Sequence, residues 1–128
     1  MDFMAVDNVT NLLETFLDVQ SRRTQVIAGN IANADTPGYV AKELDFDDYL
    51  REAAEQSALP LSKQNGQGLL SQPRVIEQAS TVIGLDGNTV DTGREMAQLA
   101  QAGSDFNFGA KMLQSRLRLL RTAIREGK

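Results

Sequence analysis

The chain has no cysteine and no histidine. That removes disulfides, thiolate nucleophiles, imidazole acid–base catalysis and zinc sites built on sulfur or imidazole. Tryptophan is also absent, and aromatic residues make up 5% of the 128 residues, as five Phe and two Tyr. Large rings carry much of the buried area in a small domain, so a deep globular core is not expected. No window approaches the ~18 apolar residues of a membrane helix. The opening Met1-Asp2-Phe3-Met4 lacks a basic stretch followed by an apolar one, so a cleaved secretory signal is not expected.

Charge is present but uneven. The net charge is -4 and the isoelectric point about 4.8, which argues against a general nucleic-acid binder. Residues 1–93 carry 6 basic and 14 acidic side chains, whereas residues 94–128 carry 7 basic and 3 acidic. An acidic body with a basic tail can attract copies of itself head to tail, or an acidic partner.

Two long helical patterns bracket the chain. In the first, Val9, Leu12, Phe16, Val19 and Val26 form one row, and Leu13, Leu17, Ile27, Ile31 and Ala34 an adjacent one. This wide apolar stripe predicts a helix from Val9 to Asn33, with Asp7 or Asn8 as cap. Asn30 and Asn33 continue the first row, so the seam turns polar where the helix ends. Asp35-Thr36-Pro37-Gly38-Tyr39 stops it, because Pro37 disfavours helical geometry at Thr36. Pro followed by Gly at the centre of Thr36–Tyr39 predicts a type II turn.

The second pattern starts at Thr92-Gly93-Arg94-Glu95, which fits a capping box with Thr92 as cap and Glu95 reaching back. Met96, Leu99, Gly103, Phe106, Ala110, Leu113, Leu117, Leu120 and Ile124 then alternate at spacings of 3 and 4. Four unbroken heptads meet the length criterion for a coiled coil. Gly103 and Ala110 predict a close backbone approach in the first half. A seam of this length cannot stay in water, since each buried apolar side chain contributes about 1.5–3 kcal/mol. It packs either against the first helix in an intramolecular hairpin, or against other copies or other proteins. In an antiparallel hairpin Asp2, Asp7, Glu14 and Asp18 would face Arg116, Arg118, Arg121 and Arg125.

The expected organisation is mainly α: an N-terminal helix in residues 1–34, an irregular and partly β middle in 35–91, and a coiled-coil helix in 92–128. In the middle, Asp45 or Asp47 is placed to cap a short helix through Phe46, Tyr49, Leu50, Ala53 and Ala54. Residues 58–72 read as a mobile loop. Val75-Ile76, Thr81-Val82-Ile83 and the Asp86-Gly87 turn suggest a small hairpin. The Asp45, Asp47, Asp48 group lacks the glycine and bidentate acid of a calcium loop. It reads as a solvated helix start rather than a carboxylate pair for hydrolysis.

Ala28-Gly29-Asn30-Ile31-Ala32-Asn33-Ala34-Asp35-Thr36-Pro37-Gly38-Tyr39 resembles the N-terminal signature of bacterial flagellar rod, hook and hook-associated axial proteins. Leu85-Asp86-Gly87-Asn88-Thr89-Val90-Asp91 before the last helix, and the short chain, resemble the small rod members. One of these, FlgC, carries a further Gly-Tyr-Val and Pro-Asn-Val pattern before its last helix; that pattern is missing ahead of Thr92 here, and the larger members carry inserted domains that 128 residues cannot hold. The resemblance implies a structural subunit, not an enzyme, that polymerises through its terminal helices in the periplasmic rod of the basal body and transmits torque. It implies export through the flagellar export apparatus without a cleaved signal. The implied partners are FlgC-like subunits, the adaptor FliE and further copies of the chain; no nucleic acid, small-molecule substrate, cofactor or metal is expected. It makes Asn30, Ile31, Asn33, Thr36, Pro37, Gly38 and Tyr39 the assembly motif. Leu12, Phe16, Val19, Leu99, Phe106, Leu113, Leu117, Leu120 and Ile124 are the expected packing positions. The rival readings are FlgC itself, a helical adaptor that does not polymerise, and an acid-based hydrolase.

Overall fold

The computed structural model describes residues 3–60, 63, 73–79 and 82–127. The elements run α1 (Phe3–Ala32), β1 (Lys42–Leu44), α2 (Asp47–Ser57), β2 (Val75–Glu77) and α3 (Thr92–Glu126). Helix α1 starts earlier than the expected Val9, so Asp7 and Asn8 lie inside it. The Asn8 amide instead donates to the carbonyl of Ser57 at 3.2 Å and ties the end of α2 to α1. The predicted mobile loop falls largely outside the described residues.

Helices α1 and α3 form an antiparallel hairpin. Asn30 meets Glu95 at one end, Arg23 and Asp105 approach to 3.9 Å further along, and Phe16 packs on Gly109. The contact is narrow. The buried apolar side chains include Val19, Ile27, Ala41, Leu44, Ala53, Pro73 and Ala102, joined by the buried polar Gln20, Asn30, Gln78, Asn88 and Glu95. Small residues on α3 let the backbones approach, and a Cβ at Gly109 would lie 2.8 Å from the Phe16 ring. The close approach predicted at Gly103 and Ala110 is therefore displaced to Gly109. Nothing lies within 4 Å of a Cβ added at Gly103.

The reason is a rotation of α3. The row that faces α1 contains Glu95, Ala102 and Gly109, with Leu113, Arg116, Leu120 and Ala123 half-buried beyond. The heptad row read from the sequence lies along one border of this face. Of its members Leu99, Ala110, Leu113 and Leu120 are half-buried, while Met96 is 61% exposed, Leu117 48% and Ile124 69%. Heptad spacing picks out the large apolar side chains, but the fully buried positions of α3 are Glu95, Ala102 and Gly109. The expected ion pairing along the hairpin also differs: Asp18 pairs with Arg22 on its own helix at 3.0 Å. Among the described residues no ion pair joins Glu14 or Asp18 to the arginines of α3.

Two predicted caps are corrected. Asp91, not Thr92, caps α3, its carboxylate accepting from the Arg94 N–H at 3.2 Å. Glu95 does not reach back, because its side chain is held by Asn30. Helix α2 starts after Phe46 with no side-chain cap; Asp47 and Asp48 occupy its first turn, where carboxylates oppose the positive end of the helix dipole. Helix α2 runs back along α1, with Arg23 stacked 4.3 Å over the Phe46 ring at its start and Ser57 bonded to Asn8 at its end. Burial, followed by the nearby Asp18 carboxylate, holds the Tyr49 phenol protonated above the ordinary tyrosine range.

The expected local hairpin does not form among the described residues. Val75–Glu77 pairs with the distant Lys42–Leu44 instead, antiparallel, with Glu43 opposite Ile76. Residues 84–88 close a turn without flanking strands: the Gly84 N–H donates to the Asn88 carbonyl at 2.8 Å. Strand β1 is anchored on α1 by Asn30, which bonds both backbone groups of Lys42.

The two glycines of α3 separate packing from propensity. Gly103→Ala, in open space, is expected to stabilise the chain by about 0.5–1 kcal/mol through helix propensity. Gly109→Ala is expected to lose at least that gain to overpacking of about 1–3 kcal/mol against Phe16. Thermal melts of the two variants should move in opposite directions, and equal shifts would refute this packing.

Candidate functional site

Helix α1 ends in a sequence that cannot remain helical, and its polar side chains take over the work of the lost backbone bonds. The Tyr39 N–H donates to the Thr36 carbonyl at 3.2 Å, with Gly38 at φ +73. This is the predicted type II turn, and the positive φ is the geometry that Gly adopts without a Cβ penalty. Gly87, at φ +81, sits against it, and a Cβ there would come 3.6 Å from Gly38 Cα. Two turns distant in sequence thus pack glycine to glycine.

Asn30 is the centre of the site and is 0% exposed. Its Nδ2 donates to the Lys42 carbonyl at 2.7 Å and to Glu95 Oε2 at 3.1 Å. Its Oδ1 accepts from the Lys42 N–H at 2.9 Å and the Tyr39 hydroxyl at 3.2 Å. A carboxamide offers two donors and two acceptor positions, and all four are used here. One side chain therefore joins the end of α1, the first residue of β1, the first turn of α3 and Tyr39. Asn33 holds its own helix end, donating to the Gly29 carbonyl at 2.8 Å and accepting from the Thr36 hydroxyl at 3.1 Å.

The other half of the site comes from the segment before α3. The Asn88 amide donates to the carbonyls of Asn33 at 2.9 Å and Thr36 at 2.7 Å. Its Oδ1 accepts from the Val90 N–H at 2.8 Å, and its own N–H reaches Asp86 Oδ1 at 3.1 Å. Backbone bonds complete the lock: Gly38 N–H to Asp86 O at 2.9 Å, Thr89 N–H to Tyr39 O at 3.0 Å. The Thr89 hydroxyl accepts from the Ala41 N–H at 2.8 Å. The two sequence signatures, separated by about fifty residues, form one hydrogen-bonded junction that closes the hairpin.

Asn30 is buried; Ile31, Asn33 and Tyr39 are half-buried; Thr36, Pro37 and Gly38 are exposed. Of the packing positions, Val19 is buried, Leu12, Phe16, Leu99, Leu113 and Leu120 are half-buried, and Phe106, Leu117 and Ile124 are exposed. Sequence reasoning missed Asn88 and Glu95 as members of the junction. Asn88 sat in an Asp-Gly-Asn turn that passes for an ordinary one. Glu95 carried a capping signal that Asp91 satisfies instead, and it lies outside the apolar heptad row, so the spacing did not mark it as buried.

The arrangement fixes the geometry of the bend. Asn30 and Asn88 satisfy backbone atoms, and no group of three or more metal-ligating side chains occurs among the described residues. No helix is long and apolar enough to cross a membrane among those residues. Fold and junction together define a helical-hairpin structural protein.

The comparisons with known proteins agree with that class. A family described as flagella basal body rod protein matches residues 17–39, from the middle of α1 through the Pro37-Gly38 turn. Over nearly its whole length the chain is similar to the flagellar basal body rod protein FlgB of Salmonella typhimurium, 33% identical, with 95% of this chain and 96% of that protein covered. The FlgB of Escherichia coli is 28% identical over the same shares. That of Bacillus subtilis is 30% identical over 91% of this chain and 92% of its own. The chain belongs to the FlgB family of flagellar basal body rod proteins.

The junction predicts a coupled loss. Asn30→Ala strips partners from Glu95, Tyr39 and both backbone groups of Lys42, and is expected to cost about 3 kcal/mol or more. Tyr39→Phe removes one bond and is expected to cost about 0.5–1.5 kcal/mol. In denaturant titrations Asn30→Ala with Glu95→Ala should be non-additive by about 0.5–3 kcal/mol. Additive losses would mean that the Asn30–Glu95 contact is not a coupled one.

Proposed function

We propose that the chain is a structural subunit of the proximal rod in the flagellar basal body, polymerising through its two terminal helices and transmitting torque. The observation that carries this reading is the surplus of apolar surface on α3. Met96, Phe106, Leu117 and Ile124 border the α1-facing stripe on one side, and Phe108, Met112 and Leu119 border it on the other. All seven are exposed, from 40% at Phe106 to 69% at Ile124. At 100° per residue these rows and the covered one span well over half of the helix circumference. A helix whose apolar arc is only partly covered has faces left for neighbours.

The division of labour follows from the two ends of the hairpin. The junction end is closed by buried hydrogen bonds and fixes how the helices leave the bend. The remainder is thinly packed and joins the wall of the rod, where burying each large apolar side chain contributes about 1.5–3 kcal/mol. Different faces meeting on successive subunits give contacts that do not close, the requirement for a tubular assembly. Its neighbours in this reading are further copies, FlgC-like rod subunits and the adaptor FliE. The subunit reaches the periplasmic rod through the flagellar export apparatus without a cleaved signal. The role is architectural, with no substrate turned over.

Leu117→Asp tests this. The side chain is already half exposed, so the isolated variant should keep its helicity and lose no more than about 0.5 kcal/mol of stability. In cells it should be exported yet fail to enter isolated basal bodies, and motility should be lost. Leu113→Asp should do the same with a larger loss of stability. Normal motility with Leu117→Asp would remove the α3 flank from assembly.

A further inference from the structure

We infer that the outer face of α3 in one copy docks, antiparallel, on the outer face of α2 in the next, through two matched stripes of charge. This rests on the rod-subunit reading above and specifies one of its contacts. Between Asp105 and Glu126 helix α3 contains no acidic residue. Arg118, Arg121 and Arg125 are exposed there, on the side turned away from α1. At helical pitch they form a stripe about 10 Å long within one narrow sector. None of the three has an ion-pair partner among the described residues.

Helix α2 carries the complement. Asp48, Glu52 and Glu55 are exposed, and Ala53, fully buried, marks the opposite face of the helix. Arg51 pairs with Asp48 on the same helix, while Glu52 and Glu55 have no ion-pair partner among the described residues. The acidic stripe steps by 4 and then 3 residues. Read backwards, the basic stripe from Arg125 through Arg121 to Arg118 steps by 4 and then 3. An antiparallel arrangement therefore sets Asp48 by Arg125, Glu52 by Arg121 and Glu55 by Arg118 simultaneously.

The chain's own α2 cannot supply that partner. Helix α2 runs antiparallel to α1, from Phe46 at Arg23 to Ser57 at Asn8. Helix α3 also runs antiparallel to α1. Within one copy α2 and α3 point the same way, and the matched register is available only from a second copy. Because the two stripes are different patches, the contact is heterologous and leaves a free stripe at each end of a row. Opposed charges select partner and register, and the exposed apolar flanks of α3 supply area beside them.

The absence of cysteine makes the register directly readable. Glu55→Cys and Arg118→Cys copies would be co-expressed, and isolated basal bodies treated with a short bis-maleimide. The expected product is a cross-linked dimer, about tenfold or more above that from Glu55→Cys with Arg125→Cys, which lie two helical turns apart. Paired reversals give the second measurement: Glu52→Arg/Glu55→Arg and Arg118→Glu/Arg121→Glu should each lower incorporation about tenfold, and their combination should restore it. Chain present in basal bodies but cross-linked equally at both positions, or reversals without effect, would overturn the docking while leaving the rod reading intact. Absence of the wild-type chain from basal bodies would overturn the rod reading itself. Loss of binding to phosphatidylglycerol vesicles in Arg118→Glu/Arg121→Glu, with incorporation unchanged, would assign the basic stripe to a lipid surface and also overturn it.

Discussion

The structure depends on one buried carboxamide. Asn30 lies where α1 must end, where β1 must begin and where α3 starts back, and its four hydrogen bonds reach all three. No other side chain of that size can donate twice and accept twice in one plane. An aspartate would set a second carboxylate against Glu95, and a leucine would leave the Lys42 backbone without partners. Because a buried unpaired polar group costs about 1–3 kcal/mol, the junction tolerates few alternatives once it is closed. The Asn88 amide repeats the device on the other side, holding carbonyls of Asn33 and Thr36 at the helix end.

That rigidity matters because the rest of the hairpin is modest. The fully buried positions of α3 are Glu95, Ala102 and Gly109, with Phe16 and Leu17 of α1 set against Gly109. Small and polar contacts bury little apolar area, so they add little of the stabilisation that large side chains give. Most of the large apolar side chains of α3 are instead exposed on its flanks, with Leu99, Leu113 and Leu120 half-buried. The molecule thus concentrates its buried hydrogen bonds at one end and leaves large apolar side chains of α3 exposed along the rest. Belonging to the FlgB family places this arrangement among flagellar basal body rod proteins.

Much of this was legible in the residues. The two long helices, the type II turn at Pro37-Gly38 and the polar end of the first seam followed from spacing and turn chemistry. The resemblance to axial proteins lay in the Asn30–Tyr39 stretch. The orientation of α3 did not. Heptad spacing marks Met96, Phe106 and Leu117, whereas the hairpin closes on Glu95, Ala102 and Gly109, and a small residue has no hydrophobic signature to mark it as an interface. The pairing of Val75–Glu77 with Lys42–Leu44 is a contact between distant segments, which periodicity within either one cannot reveal. The same holds for Asn88, whose role is defined by carbonyls fifty residues earlier.

The central claim is that order is concentrated at the junction and that the helix faces beyond it wait for neighbours. Native-state amide hydrogen exchange on the purified full-length monomer tests it most directly. The account predicts strong protection around residues 27–33, 39–44 and 95–102, falling steadily along both helices toward residues 10 and 120, with the gradient abolished in assembled rods. Uniform protection along α1 and α3 in the isolated chain would contradict it, because a hairpin already closed over its whole length would have no reason to order further on assembly.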